Sequence, residues 1–246
     1  MTTNRLNRPW PLPNKPWIMH QTWNDLLFAH WPIATQELQA IVPASLTIDK
    51  FEGQAWIGVV PFWMSGVRPR FIPSIPYLSK FPEINLRTYV TLQGKPGVYF
   101  FSLDADQQIA VEAARLSFHL PYFRAKIQYT VSENHIVNYH STRHDSRANP
   151  GQFAATYRPI SDVSFSEPGS LEHWLTERYC LYSVDSKETV YRGEIDHGPW
   201  PLQLAEADIR MNTLASSFGL QLPSCKPLLH FSKKLNVRAW MIVSCK

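Results

Sequence analysis

The stretch Asp104–Val131, DADQQIAVEAARLSFHLPYFRAKIQYTV, decides how this chain is read. Asp104 and Gln107 stand at capping-box spacing, and Ile109, Ala113 and Leu116 recur at i, i+4 and i+7, so the pattern predicts a capped amphipathic helix. Pro121 lacks an N–H and biases the residue before it away from helical backbone, so the helix stops just short of it. Beyond the proline, Phe123, Ala125, Ile127, Tyr129 and Val131 alternate with Arg124, Lys126, Gln128 and Thr130. A period of two places the apolar set on one face of a strand and the polar set on the other.

Upstream, EINLRTYVTL predicts a second strand, with Glu83, Asn85, Arg87 and Tyr89 on one face and Ile84, Leu86, Thr88 and Val90 on the other. A turn at Gly94–Gly97 returns the chain through VYFFSL to Asp104. Further back, SLTID and QAWIGVVPFWM read as a hairpin about Glu52-Gly53, and the second strand, apolar on both faces, suits a central, doubly covered position. Residues 66–82 hold Pro69, Pro73, Pro76 and Pro82 and read as a loop. The segment from Gln21 to Pro32 reads as a short helix, and Ala34–Ile41 as another.

Downstream, HIVNYHST, FAATYRP, RYCLYSV and TVYRGEID read as strands, and PLLHFSKKLNVRAWMIV as one or two more. SLEHWLTERY reads as a helix with Ser170 as N-cap. LAEADIRMNTLASSFG reads as an amphipathic helix stopped at Gly219. With no linker and no internal repeat, residues 21–246 are expected to form one domain, mainly β (α+β) with a few short helices, behind an irregular arm at 1–20.

The composition agrees: 246 residues, 44% hydrophobic and 18% charged, describe a chain that buries a core. Twenty prolines and nine tryptophans favour many short elements joined by turns over a helical bundle. The net charge of +4 comes from scattered Lys and Arg without the dense basic stripe of a nucleic-acid binder. Cys180, Cys225 and Cys245 form no CxxC pair and read as free thiols of a reducing compartment. The first residues show no apolar signal-peptide core, and the longest apolar run, Trp56–Met64, falls far short of the ~20 residues that span a bilayer. A soluble cytoplasmic protein with no membrane partner is expected.

Nine histidines include no HExxH, and no GxGxxG, GxxxxGK[ST] or GxSxG occurs, so neither a metal nor a cofactor is expected. Two polar groups stand out. Glu83, Asn85 and Arg87 share a strand face, either solvated or lining a cavity. Arg115, Tyr122, Arg124 and Lys126 surround the helix–strand junction, where Arg115 also complements the helix dipole.

The blocks FEGQAWIGVVPF, EINLRTYV, FFSLDA, ARLSFHLPYFRA, LTERYCLY and HGPWPL, after an HW near the start, resemble the YqjF-like family of uncharacterised bacterial proteins from about Trp23 to Trp240. That family is similar to the acetoacetate decarboxylase-like superfamily, and the resemblance implies an antiparallel β-barrel or cone with a buried pocket. The decarboxylases form a Schiff base through a lysine in a stretch resembling AR…G-x-P-K-K. Setting Arg115 on that arginine brings Pro121 onto the proline, Tyr122 onto the Schiff-base lysine and Phe123 onto its neighbour, while Glu83 falls at the pocket glutamate. Imine formation needs an amine, so the resemblance implies the pocket without the decarboxylase chemistry. The expectation is a binder of a small organic carboxylate, held by Arg87, Arg115 and Arg124, with Tyr122 and Glu83 as a hydrogen-bonding or catalytic proton-transfer pair. The alternative is a non-catalytic interaction module using an aromatic surface, which exposed tryptophans would mark.

Overall fold

The structure is a computed structural model that describes residues 8–245. The chain opens with β1 (Met19–Ile33), α1 (Thr35–Gln39), β2 (Thr47–Ile48), β3 (Ala55–Pro69), β4 (Phe81–Leu92) and β5 (Lys95–Ala105). It continues with α2 (Gln108–Phe118), β6 (Tyr122–Val131), β7 (Val137–Arg143), β8 (Gln152–Pro159) and α3 (Leu171–Thr176). It ends with β9 (Cys180–Val184), β10 (Val190–His197), β11 (Gln203–Asn212), β12 (Leu228–Ala239) and β13 (Val243–Ser244). Residues 8–18 run without helix or strand, and residues 1–7 of the expected arm lie outside the described residues.

All thirteen strands belong to one sheet that closes twice. One closure runs β1, β3, β4, β5, β6, β7, β8, β11, β12 and back to β1, a nine-stranded barrel that is antiparallel except at β5–β6. The other runs from β12 through β10 and β9 to β5, and shares β4, β3 and β1 with the barrel. The shared strands therefore have an interior on each side. This is why β3 reads as apolar on both faces, and why Phe81–Val90 of β4 is buried at every position. On β4, Ile84, Leu86 and Val90 enter the nine-stranded core with Leu27, Ile57 and Phe153. Such large buried side chains contribute ~1.5–3 kcal/mol each. Glu83, Asn85, Arg87 and Tyr89 face the second ring, which Phe28, Phe62 and Trp200 line on one side and Phe100 and Leu175 on the other.

Around the deciding stretch the helix and strand form as read, with two changes. Asp104 remains in β5, and Gln107 is the N-cap, accepting from Ile109 N at 2.9 Å. The helix presents Leu116 to the outside, leaves Ile109 largely exposed at the cavity edge and buries only Val111, because most of its inward face packs over a cavity while Val111 alone enters a core. In β6, Phe123, Ala125 and Ile127 are buried, Tyr129 is half-buried and Val131 is exposed at the strand end.

Four expectations are corrected. Gln21–Pro32 is strand, not helix: Asp25 sits at φ 48 in a bulge that breaks the period of two and mimics helical spacing. That bulge is pinned by Tyr129 and Lys233 on the Asp25 carboxylate and by the Tyr157 hydroxyl on its carbonyl. Leu204–Asn212 is also strand; its Ala, Glu and Leu favour helix, but Ala205, Ala207 and Ile209 pack inward while Leu204, Glu206, Asp208 and Arg210 point out. Finally, β2 pairs with β4 and not with β3, so the expected hairpin shrinks to the Phe51–Gln54 bridge. The proline-rich loop is shorter than read, since β3 runs to Pro69 and Pro82 already lies in β4.

Candidate functional site

The second ring is not filled. Between the shared wall and β5, β9 and β10 lies a cavity of about 440 Å³, roofed by α2 and by the loop 70–80. Its walls are mostly apolar, and a few polar groups converge on it, the usual build of a small-molecule site. Three come from alternate residues of β4: Glu83, Asn85 and Arg87. Successive rungs of one face are roughly 6.6–7 Å apart, so the groups are spread along the cavity.

Glu83 is 2% exposed, and its Oε2 accepts a hydrogen bond from the Tyr122 hydroxyl at 2.9 Å. Burial pushes the Glu83 carboxyl up to about 8, the tyrosine bond opposes this, and the nearby Asp104 adds to it. Burial, with Glu83 beside it, raises Tyr122 well above the usual phenol range. At neutral pH both groups are protonated, so this end of the cavity offers a neutral carboxyl and a phenol. Asp104, fully enclosed behind Glu83, is bound through both oxygens by Arg143 Nε at 3.0 Å. Burial still lifts it to about 6 against the pull of that guanidinium.

At the other end stands Arg87, 8% exposed. Its Nη2 donates to the Tyr89 hydroxyl and to the Leu175 carbonyl, both at 3.3 Å, and its Nε has no partner. Phe28 and Tyr89 lie under the guanidinium at 5.2 and 5.7 Å. No carboxylate reaches it among the described residues. The Tyr89 hydroxyl bonds to the Leu175 carbonyl at 2.8 Å and to His30 Nε2 at 2.7 Å. Burial and then Arg87 push His30 well down, so it stays neutral beside the cation. Neighbouring Arg178 contrasts with Arg87: it pairs with Asp49 at 2.7 Å and lies 4.2 Å over Trp174. Asn85 Oδ1 is also buried without a partner.

The structure thus brings Glu83, Tyr122 and Arg87 around one cavity and leaves Arg115 and Arg124 outside it. Arg115 Nη1 donates to the Tyr122 carbonyl at 2.7 Å, a backbone tie that holds the tyrosine in place. Arg124 turns to the outer face and binds Glu112 at 2.6 Å, because it shares the strand face of Lys126, which is solvent. Tyr122 opens the same strand, yet its hydroxyl reaches inward under the helix end. No lysine lines the cavity among the described residues. Sequence reading missed Arg178, His197 and Trp200 on the wall. They lie in LTERYCLY and HGPWPL, but their approach to β4 spans about ninety residues or more and has no local pattern.

The nine-stranded barrel with its side ring is an acetoacetate decarboxylase-like fold. Solved structures agree. An acetoacetate decarboxylase-like enzyme from Sphingomonas wittichii RW1 matches with a TM-score of 0.64 at 13% identity, over 97% of this chain and 98% of that one. The enduracididine biosynthesis enzyme MppR, complexed with the condensation product of pyruvate and imidazole 4-carboxaldehyde, matches at 0.66 and 11% identity, over 94% of this chain and 90% of that one. Within this fold the chain belongs to the DUF2071 family of uncharacterized conserved proteins, whose model matches residues 20–236. It is 48% identical over 229 residues to the uncharacterized protein YqjF of Bacillus subtilis (strain 168), covering 93% of each chain.

Proposed function

We propose that the cavity binds a small organic acid, with its carboxylate on Arg87 and a carbonyl or hydroxyl oxygen on the Glu83–Tyr122 pair. The observation that carries this reading is the buried, carboxylate-free guanidinium of Arg87. An uncompensated cation in a low-dielectric wall is strained when the site is empty, and an anion relieves it. The unpartnered Nε of Arg87 is a donor that a carboxylate would satisfy, and Oδ1 of Asn85 is an acceptor for a ligand hydroxyl. MppR, on a similar fold, is described in complex with pyruvate.

Any chemistry here runs without a Schiff base. Tyr122 has no amine, and Lys126 projects outward. A carboxyl that titrates near 8 is suited to hand a proton to a ligand oxygen or to take one back at physiological pH. Arg115 then serves by fixing Tyr122, and Arg124 plays no part in binding. The tryptophans that would mark an aromatic docking surface are all buried or half-buried, which weighs against that alternative.

A thermal-shift screen of keto acids, hydroxy acids and short dicarboxylates tests the reading. Ligand at about 100 times its Kd adds ~2.7 kcal/mol of stability, or about 5–10 °C for a chain this long. The parent and Arg124→Ala should respond alike, and Arg87→Met should not respond. If no acid moves the parent's melting point, or Arg87→Met responds like the parent, the acid-binding reading fails.

A further inference from the structure

We infer that the loop 70–80, between β3 and β4, is a docking surface for an anionic lipid bilayer, at the mouth of the cavity. The loop has two faces. Pro73, Ile75 and Leu78 line the cavity. Phe71 and Tyr77 do not; they are 87% and 90% exposed, with Ile72 at 46% and Ile109 of α2 at 64% beside the same mouth. Soluble proteins scatter exposed apolar side chains singly, and a cluster of this kind marks a contact surface.

The loop presents these residues in a defined way. Phe71 and Tyr77 both sit at φ 67, a left-handed conformation that aromatic residues rarely adopt. Arg70 N donates to the Ile18 carbonyl at 2.8 Å, Ser79 N to the Ile75 carbonyl at 3.0 Å, and Ile75 N to Ser79 Oγ at 2.9 Å. Gln107 Nε2 ties the Tyr77 carbonyl to the start of α2. Two large apolar side chains are therefore held outward by an ordered, proline-braced backbone, where collapse onto the cavity mouth would have hidden them.

Charge selects the occupant. Arg68, Arg70 and Lys80 flank the apolar tip, and no Asp or Glu occurs anywhere between Glu52 and Glu83. None of the three cations has an acidic partner among the described residues; Arg70 lies instead over Trp17 and Phe71, at 5.3 and 4.7 Å. Apolar and aromatic residues rimmed by Lys and Arg match the boundary between acyl chains and anionic headgroups. A second copy of the chain fits less well, because a twofold contact would set the same three cations against themselves. A second exposed apolar group, Ile160, Val163, Phe165 and Leu204, lies among Asp162, Glu167 and the Arg158–Glu206 ion pair, without the excess of cations that such a membrane selects. No helix among the described residues is long and apolar enough to cross a membrane, and the contact inferred is of the loop tip with the bilayer surface. It needs no ligand in the cavity, and its test is separate from the acid screen.

The experiment is co-sedimentation of the full chain with vesicles of phosphatidylcholine, alone or doped with phosphatidylglycerol. Binding to the doped vesicles, weakened by added salt, is expected. Phe71→Ser/Tyr77→Ser should weaken it about tenfold or more, and Arg68→Gln and Arg70→Gln roughly fivefold each. Phe71 and Tyr77 are exposed, Arg68 and Arg70 are half-buried without an ion pair among the described residues, and the melting point of each variant should match the parent's. Failure to sediment with doped vesicles, equal binding to undoped ones, or full binding by the double-serine variant would each overturn the inference. So would size-exclusion chromatography showing a parent dimer that the double-serine variant dissolves, which would assign the surface to a second copy.

Discussion

Removing the positive charge of Arg87 should make the empty protein more stable. In Arg87→Met the flexible thioether keeps most of the contact with Phe28 and Tyr89. Lost are two long hydrogen bonds of 3.3 Å and the attraction of the cation for two rings. Neither acceptor is orphaned, because the Tyr89 hydroxyl and the Leu175 carbonyl remain bonded to each other at 2.8 Å. Gained is relief from burying a cation that no carboxylate compensates, which costs several kcal/mol. Replacing buried ions with apolar groups of similar volume is typically neutral or stabilising by ~1–4 kcal/mol, and losing the ring contacts removes ~1 kcal/mol of this. The expected net is a gain of up to about 3 kcal/mol, or up to about 12 °C in melting temperature. Urea denaturation of the ligand-free parent and variant at one pH measures it, with equal m-values confirming that both unfold from the same compact state. A variant destabilised by more than about 1 kcal/mol would show that Arg87 holds the fold together, and the strained-cation argument would fall.

Glu83 carries a pH dependence of definite sign. Its carboxyl titrates near 8 when folded and near 4.5 in the unfolded chain, so between these values the unfolded chain alone releases the proton. Stability therefore falls as pH rises, by up to ~1.4 kcal/mol per pH unit, and levels off above pH 8. Asp104, raised to about 6, shares the sign at lower pH. Burial lowers His30, His197 and His230, and these add stability only as pH rises toward 6.5. Between pH 7 and 8 the Glu83 slope stands nearly alone: urea melts should show it in the parent and lose it in Glu83→Gln, and a flat parent would refute the raised carboxyl. A third prediction is chemical: mass spectrometry after acetoacetate and borohydride should find no trapped adduct, and an adduct on Lys126 would restore imine chemistry through another residue.

The sequence by itself carried β4, β6, β7, β8, β9 and β10, the Ser170 cap of α3 and the proline stop before Tyr122. It misread β1 and β11 because a bulge at Asp25 and a run of helix-favouring residues imitate a period of 3.6, and strand pairing across the barrel overrides both. It placed Glu83, Asn85 and Arg87 on one face, yet that face is identical in sequence whether it meets water or a cavity. Only the second closure, through β9 and β10, puts an interior opposite it. The same geometry separates the arginines. Alternation shows which side chains share a side of a strand, but what lies across from that side depends on how other segments return to it: α3 and the strands after it, about ninety residues or more beyond Arg87, and α2, which ends just before Arg124. Arg87 met a cavity there; Arg124 met Glu112 and solvent.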